Sequence, residues 1–184
     1  MHHHIAFLRG INLGKRRIKM DRLRECFEAL KFAEVETFIA SGNVVFSSKA
    51  ADTRKLETQI QGHLKKSLGY EVDTFVRTRA EVAAVAAFPA FSKAEMEHED
   101  HRVYVGFFAE PLIAAQSRGL AACRTEVDEF CVEGREYYWL CRIKSSDSNV
   151  WASPSMRALK LPSSSMRNLT TIRKLAALYP TPAG

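Results

Sequence analysis

Long apolar runs are missing from this chain. No stretch approaches the ~18 residues that a membrane-spanning helix requires, so a helical membrane protein is excluded and no membrane partner is expected. The four cysteines, Cys26, Cys123, Cys131 and Cys141, contain no CxxC pair, and their spacing fits neither a disulfide framework nor a zinc site. Free, buried thiols in a reducing cytosol are the reading that follows. The N-terminus lacks an apolar secretion segment and a small-residue cleavage site, since strand-like residues begin at Ile5. A cytoplasmic location is therefore expected. His2, His3 and His4, whether a tag or native, are set aside from metal reasoning.

Complete catalytic and cofactor motifs are lacking as well. Gly10-Ile11-Asn12-Leu13-Gly14-Lys15 follows a strand and precedes a helix. It is one residue short of GxxxxGK[ST], however, and Arg16 stands where a Mg²⁺-binding hydroxyl belongs, which excludes a phosphate-loop nucleotide triphosphatase. Ser163, Ser164 and Ser165 have neither a nucleophile elbow nor a partnered histidine. His98-Glu99-Asp100-His101 offers metal-capable groups without a third fixed ligand. No cofactor and no metal are expected.

What is present is a globular composition with an uneven charge. Of 184 residues, 46% are hydrophobic and 26% charged, values that exclude wholesale disorder. The net charge is +6. Residues 9–24 carry Arg9, Lys15, Arg16, Arg17, Lys19, Arg22 and Arg24 against Asp21 alone, and residues 142–174 are equally basic. Two basic segments on an otherwise acidic chain point to an anionic partner.

The order of patterns is strand, helix, hairpin, helix, strand. Ile5 to Arg9 predicts a strand. Met20, Leu23, Phe27 and Leu30 share one helical face, and Val35–Ala40 with Val44–Ser47 predict a hairpin around Ser41-Gly42-Asn43. Asp52 or Thr53 caps a second helix with Leu56, Ile60, Leu64 and Leu68 at steps of four, ended by Gly69. Val72–Arg77 completes β-α-β-β-α-β, a ferredoxin-like plait. A connector follows, opened by the Thr78/Glu81 capping pattern.

The order then repeats. Arg102–Phe108 predicts a strand, Pro111 to about Cys123 a helix, and Glu126–Val132 with Glu136–Ile143 a hairpin around Gly134-Arg135. That hairpin pairs Phe130 with Trp139, Val132 with Tyr137 and Cys131 with Tyr138. Ser153-Pro154 starts a short helix and Leu169–Leu178 forms a final one, with no closing strand legible between them. The expected architecture is α+β: two tandem ferredoxin-like plaits, the second with a divergent helical C-terminus. Its boundaries are residues 1–77, a helical and acidic connector over 78–101, and 102–184.

In such a plait strands one and two run parallel. The loop Gly10–Lys19 and the Ser41–Asn43 turn should therefore emerge side by side. The corresponding loops of the second half, near Glu110 and Gly134, carry little basic charge. Tyr104 and Tyr138 are expected to point away from their core faces, where they could stack on RNA bases, although no RNP1-like segment accompanies them.

The residues Phe7-Leu8-Arg9-Gly10-Ile11-Asn12, Ile18-Lys19-Met20, Ser41-Gly42-Asn43-Val44-Val45-Phe46 and Met166-Arg167-Asn168 with Thr171 resemble the bacterial domain-of-unknown-function 1697 family. The resemblance touches both ends of the chain and implies a cytoplasmic α+β protein of two plait-like halves. It carries no activity with it. The chain departs from the family pattern at Leu169, where a tryptophan is expected.

The functional reading is a binding protein for an anionic ligand, nucleic acid or a nucleotide-like phosphate. Its candidate contacts are Arg9, Gly10, Asn12, Lys15, Arg16, Ser41, Asn43, Arg167 and Asn168. Glycines let successive N–H groups face one anion while the cations neutralise it. The alternatives are an enzyme on a small phosphorylated or carboxylated metabolite, positioned by Arg9, Asn12 and Arg167, and a protein-interaction module. Oligomeric state is not legible.

Overall fold

The computed structural model describes residues 1–181 apart from Leu13, Lys15, Arg16, Ala40 and Ser41. The chain forms two compact units. One is Met1–Ala84 together with the chain from Leu175 onward; the other is Val85–Lys174.

The first unit runs β1 (His2–Leu8), α1 (Met20–Glu28), β2 (Ala33–Phe38), β3 (Asn43–Ser48), α2 (Thr53–Leu68), β4 (Thr74–Thr78) and the start of α3 (Arg79–Ala87). Its sheet has the order β2-β3-β1-β4 with every neighbouring pair antiparallel. Because β1 and β2 both oppose β3, they run in the same direction. Ala6, Leu8, Val44, Phe46 and Val76 face Leu23, Cys26 and Phe27 of α1 and Leu56, Ile60 and Leu64 of α2 in one core. Each large side chain buried there contributes ~1.5–3 kcal/mol.

Local signals set the ends of these elements. Asp52 Oδ1 accepts from the N–H groups of Arg54 and Lys55 at 3.0 and 3.2 Å, satisfying donors that a helix start leaves open. Gly69 ends α2 in the left-handed conformation, at φ 78°. The Thr78/Glu81 capping box forms in both directions: Glu81 N–H donates to Thr78 Oγ1 at 3.1 Å and Thr78 N–H to Glu81 Oε2 at 2.8 Å. The strand begins earlier than Ile5, because His2–His4 pair with Ser48, Ser47 and Phe46.

The second unit holds α4 (Lys93–Glu97), β5 (Arg102–Phe108), α5 (Ala114–Ala122), β6 (Asp128–Glu133), β7 (Glu136–Cys141), α6 (Pro154–Ala158), β8 (Ser164–Asn168) and most of α7 (Leu169–Leu178). Its sheet order, β6-β7-β5-β8, repeats the first. The hairpin has the register expected from a two-residue turn, Phe130↔Trp139, Cys131↔Tyr138 and Val132↔Tyr137. The cysteines are free.

Two expectations are corrected here. A closing strand exists: β8 pairs with β5, Tyr104 opposite Asn168 and Phe108 opposite Ser164. Ser-Ser-Met-Arg-Asn has no β-branched or aromatic residue, so pairing rather than intrinsic preference makes it a strand. The sheet tyrosines are also covered. Tyr104 lies opposite Trp139 on β7, stacks on it at 5.0 Å and donates its hydroxyl to Ser145. Tyr138 is buried, stacked on Phe88, with its hydroxyl donating to the Val85 carbonyl.

Candidate functional site

In the first unit the polar loop after β1 is built against the β2–β3 turn. The Leu8 N–H donates to the Gly42 carbonyl at 2.8 Å, and Asn43 lies opposite both Phe7 and Phe38. Gly42 sits at φ +80°, and a Cβ there would come within 2.7 Å of Ile11 Cγ2. Only glycine lets the turn approach the loop this closely. Gly10 and Gly14 are also left-handed, at φ 68° and 59°.

The loop is then closed on itself. Asn12 Oδ1 accepts from the Ile18 N–H at 2.8 Å, and the Arg17 guanidinium donates to the carbonyls of Asn12 and Gly14. Ile11 is buried and its carbonyl accepts from the Tyr70 hydroxyl. Asn12 therefore holds the loop's shape through its side-chain oxygen. Asn43 plays a similar part in the turn. It is fully buried and its amide donates to the Phe38 carbonyl at 3.0 Å, the local bonding that Asn supplies in turns. Of the other candidates, Lys15, Arg16 and Ser41 lie outside the described residues.

Nearby carboxylates offset part of the basic charge. Arg9 reaches Asp73 Oδ2 at 3.3 Å, and its N–H donates to the Asp73 carbonyl. Arg22 pairs with Glu25, and Arg24 with Asp21. These pairs are solvent-exposed and weak, ~0–1 kcal/mol each, so an incoming anion could exchange with them. Arg9, Arg17 and Lys19 are exposed. A cavity of about 360 Å³ borders Asp73, but Glu71 also lines it and takes a 2.8 Å contact from Lys65. Its charge does not suit an anion.

In the second unit Arg167 and Asn168 sit on β8. Arg167 is buried, donating to Ser165 Oγ at 2.9 Å and to the Met166 carbonyl at 2.8 Å. Burial, which penalises its charge, lowers its pKa to about 10. Asn168 caps α7 through the Thr170 N–H at 2.8 Å. Arg142, from the same basic segment, is held by Glu95 and Glu129 at 3.1 and 2.7 Å.

Sequence reasoning passes over one residue entirely. Arg77 holds the same place on β4 that Arg167 holds on β8: fourth in the strand, followed by a capping side chain and a helix. It is 1% exposed, donates to the Val76 carbonyl and lies 3.8 Å from Glu57. Burial raises the Glu57 carboxyl's pKa, opposed by the Val76 N–H and by Arg54. The matching strand-Arg-cap pattern would have revealed Arg77, had β8 been recognised as a strand.

His98 and His101 stack with ring centroids 4.0 Å apart, and His101 Nδ1 donates to Glu95. Among the described residues no group of three or more His, Cys, Asp or Glu is arranged to hold a metal.

A family model described as "Protein of unknown function (DUF1697)" matches residues 1–138. Among solved structures, the conserved bacterial protein SP0830 from Streptococcus pneumoniae is similar over 98% of this chain and 99% of its own, with a TM-score of 0.74 at 18% identity. That likeness shows the fold. No curated protein matches the chain significantly.

Proposed function

The chain belongs to the DUF1697 family, and we propose that it binds an anionic ligand, nucleic acid or a nucleotide-type phosphate, at the loop after β1. The observation that carries this reading is the contact between that loop and the β2–β3 turn, made through Leu8, Ile11 and Gly42. Arg9, Gly10, Asn12 and Asn43 belong to that loop and turn, and Lys15, Arg16 and Ser41 join the proposed contacts from their positions in the sequence. Asn12 and Asn43 set the backbone; Arg9, with Lys15 and Arg16, supplies charge. Arg167 and Asn168, on β8 of the second unit, are the remaining proposed contacts.

We read each unit as a ferredoxin-like plait, in tandem, since each has a β-α-β-β-α-β order and the 2-3-1-4 sheet. The working place is the cytoplasm, in keeping with four free thiols. The test is a fluorescence titration with RNA, DNA and nucleotides, comparing wild type with an Arg9→Ala/Lys15→Ala/Arg16→Ala variant. The variant should bind more weakly, and wild-type affinity should fall steeply with salt. Equal binding by both proteins refutes the reading.

A further inference from the structure

We propose that the second unit carries a separate oxyanion site for a small molecule bearing a phosphate monoester, in the cavity bounded by α4, the start of β5 and the start of α7. The cavity has a volume of about 430 Å³, and its lining includes Arg102, Arg173, His98, His101, Asn168 and Thr170 but no carboxylate. This is the reverse of the first unit's cavity, which Glu71 and Asp73 line.

The two arginines keep their charge available. Arg102 is fixed through Nη1 by the carbonyls of Glu99 and His101, at 2.6 and 2.7 Å. Arg173 Nε donates to the Ala86 carbonyl at 3.4 Å. These contacts hold the guanidinium groups in place without neutralising them, and among the described residues neither lies within ion-pairing distance of a carboxylate. Arg142, held between Glu95 and Glu129, contrasts with both.

One imidazole adds a donor. His98 Nδ1 accepts from the Asp100 N–H at 3.3 Å, so the neutral ring carries its proton on Nε2 and can donate there. His101 Nδ1 donates to Glu95, so the Nε2 of its neutral ring is an acceptor and adds no donor. Thr170 contributes a hydroxyl at the opening turn of α7, a ten-residue helix whose N-terminal end carries partial positive charge. Two planar cations, the His98 ring N–H and a hydroxyl suit the several oxygens of a phosphate dianion. A cavity of this size falls in the ~300–1,000 Å³ range of small-molecule sites and does not form a track for a polymer.

This site stands independently of the loop after β1, and one experiment separates them. Binding of inorganic phosphate, adenosine 5′-monophosphate and adenosine is measured by calorimetry on wild type, on the loop variant Arg9→Ala/Lys15→Ala/Arg16→Ala, and on that loop variant with Arg102→Ala/Arg173→Ala added. Thr170→Glu, which sets a negative charge at an exposed position on the rim, serves if the arginine pair proves unstable. Wild type should take up phosphate and the monophosphate at millimolar concentrations or below, but adenosine poorly. In the loop variant, Arg102→Ala/Arg173→Ala and Thr170→Glu should each weaken the remaining phosphate binding at least about tenfold. The proposal is overturned if wild type binds neither phosphate compound, if neither cavity variant alters binding, or if adenosine binds as well as its monophosphate. It is equally overturned if only an oligonucleotide responds to these substitutions.

Discussion

Gly42 lies so close to Ile11 that a Cβ on the glycine would come within 2.7 Å of Ile11 Cγ2, at a backbone φ of +80°. Steric overlap and left-handed strain therefore act together at this point. Gly42→Ala should cost ~1–3 kcal/mol in chemical denaturation. Gly14→Ala, with nothing within 4 Å of its Cβ and only φ +59° against it, should cost less, about 1 kcal/mol. Equal losses would mean that the loop and the turn are not packed as described.

Asn12→Ala should open the loop without touching the core. Ile18 loses the 2.8 Å acceptor for its N–H, a bond worth about 1 kcal/mol in net stability. Hydrogen exchange reads the effect locally: the Ile18 amide should exchange markedly faster while amides of β1 and β3 keep their protection. Unchanged exchange at Ile18 would remove the loop-closing role from Asn12.

His4 gives the first unit a pH dependence. It is buried, its Nε2 bonds the Ala50 carbonyl at 3.1 Å, and Nδ1 has no partner among the described residues. Burial pushes the imidazole below its ordinary value of 6.5, more than the Ala50 bond restores it. The unfolded chain thus takes up the proton first. This contribution to stability is complete above pH 6.5 and declines as pH falls from 6.5 toward the folded pKa. Melting curves from pH 8 to 5 should show a smaller acid loss for His4→Gln than for wild type, even if the variant starts lower. Parallel pH profiles would contradict the assignment.

Gly106 faces Tyr137 across β5 and β7, and a Cβ there would meet the tyrosine ring at 1.9 Å. Gly106→Ala should destabilise the second unit by ~1–3 kcal/mol or more. The cost should shrink in a Tyr137→Val background, a coupling that a double-mutant cycle measures. Additive costs would show that the ring is not what excludes the methyl group.

How much of this was legible beforehand varies by element. The second helix was, because Asp52, the four-residue spacing of Leu56, Ile60 and Leu64, and Gly69 all agree. The β6–β7 register was, because a Gly134-Arg135 turn leaves one pairing open. The approach of the β1 loop to the β2–β3 turn followed from strand direction. By contrast β8 was hidden, since nothing in Ser164–Asn168 favours a strand apart from its partner β5. Missing it concealed the correspondence of Arg167 with Arg77. The orientation of Tyr104 was misread because its face is set by pairing with Trp139, a contact across strands. At the candidate site, the side-chain roles of Asn12 and Asn43 depend on which backbone groups come near, and composition does not report that.

The central claim is that the loop after β1 binds an anion, and the most direct measurement is the affinity of wild type and of Arg9→Ala/Lys15→Ala/Arg16→Ala for RNA, DNA and nucleotides at several salt concentrations. The account predicts a clear loss of affinity in the variant and a shallower dependence on salt. Identical affinities and identical salt dependence would contradict it.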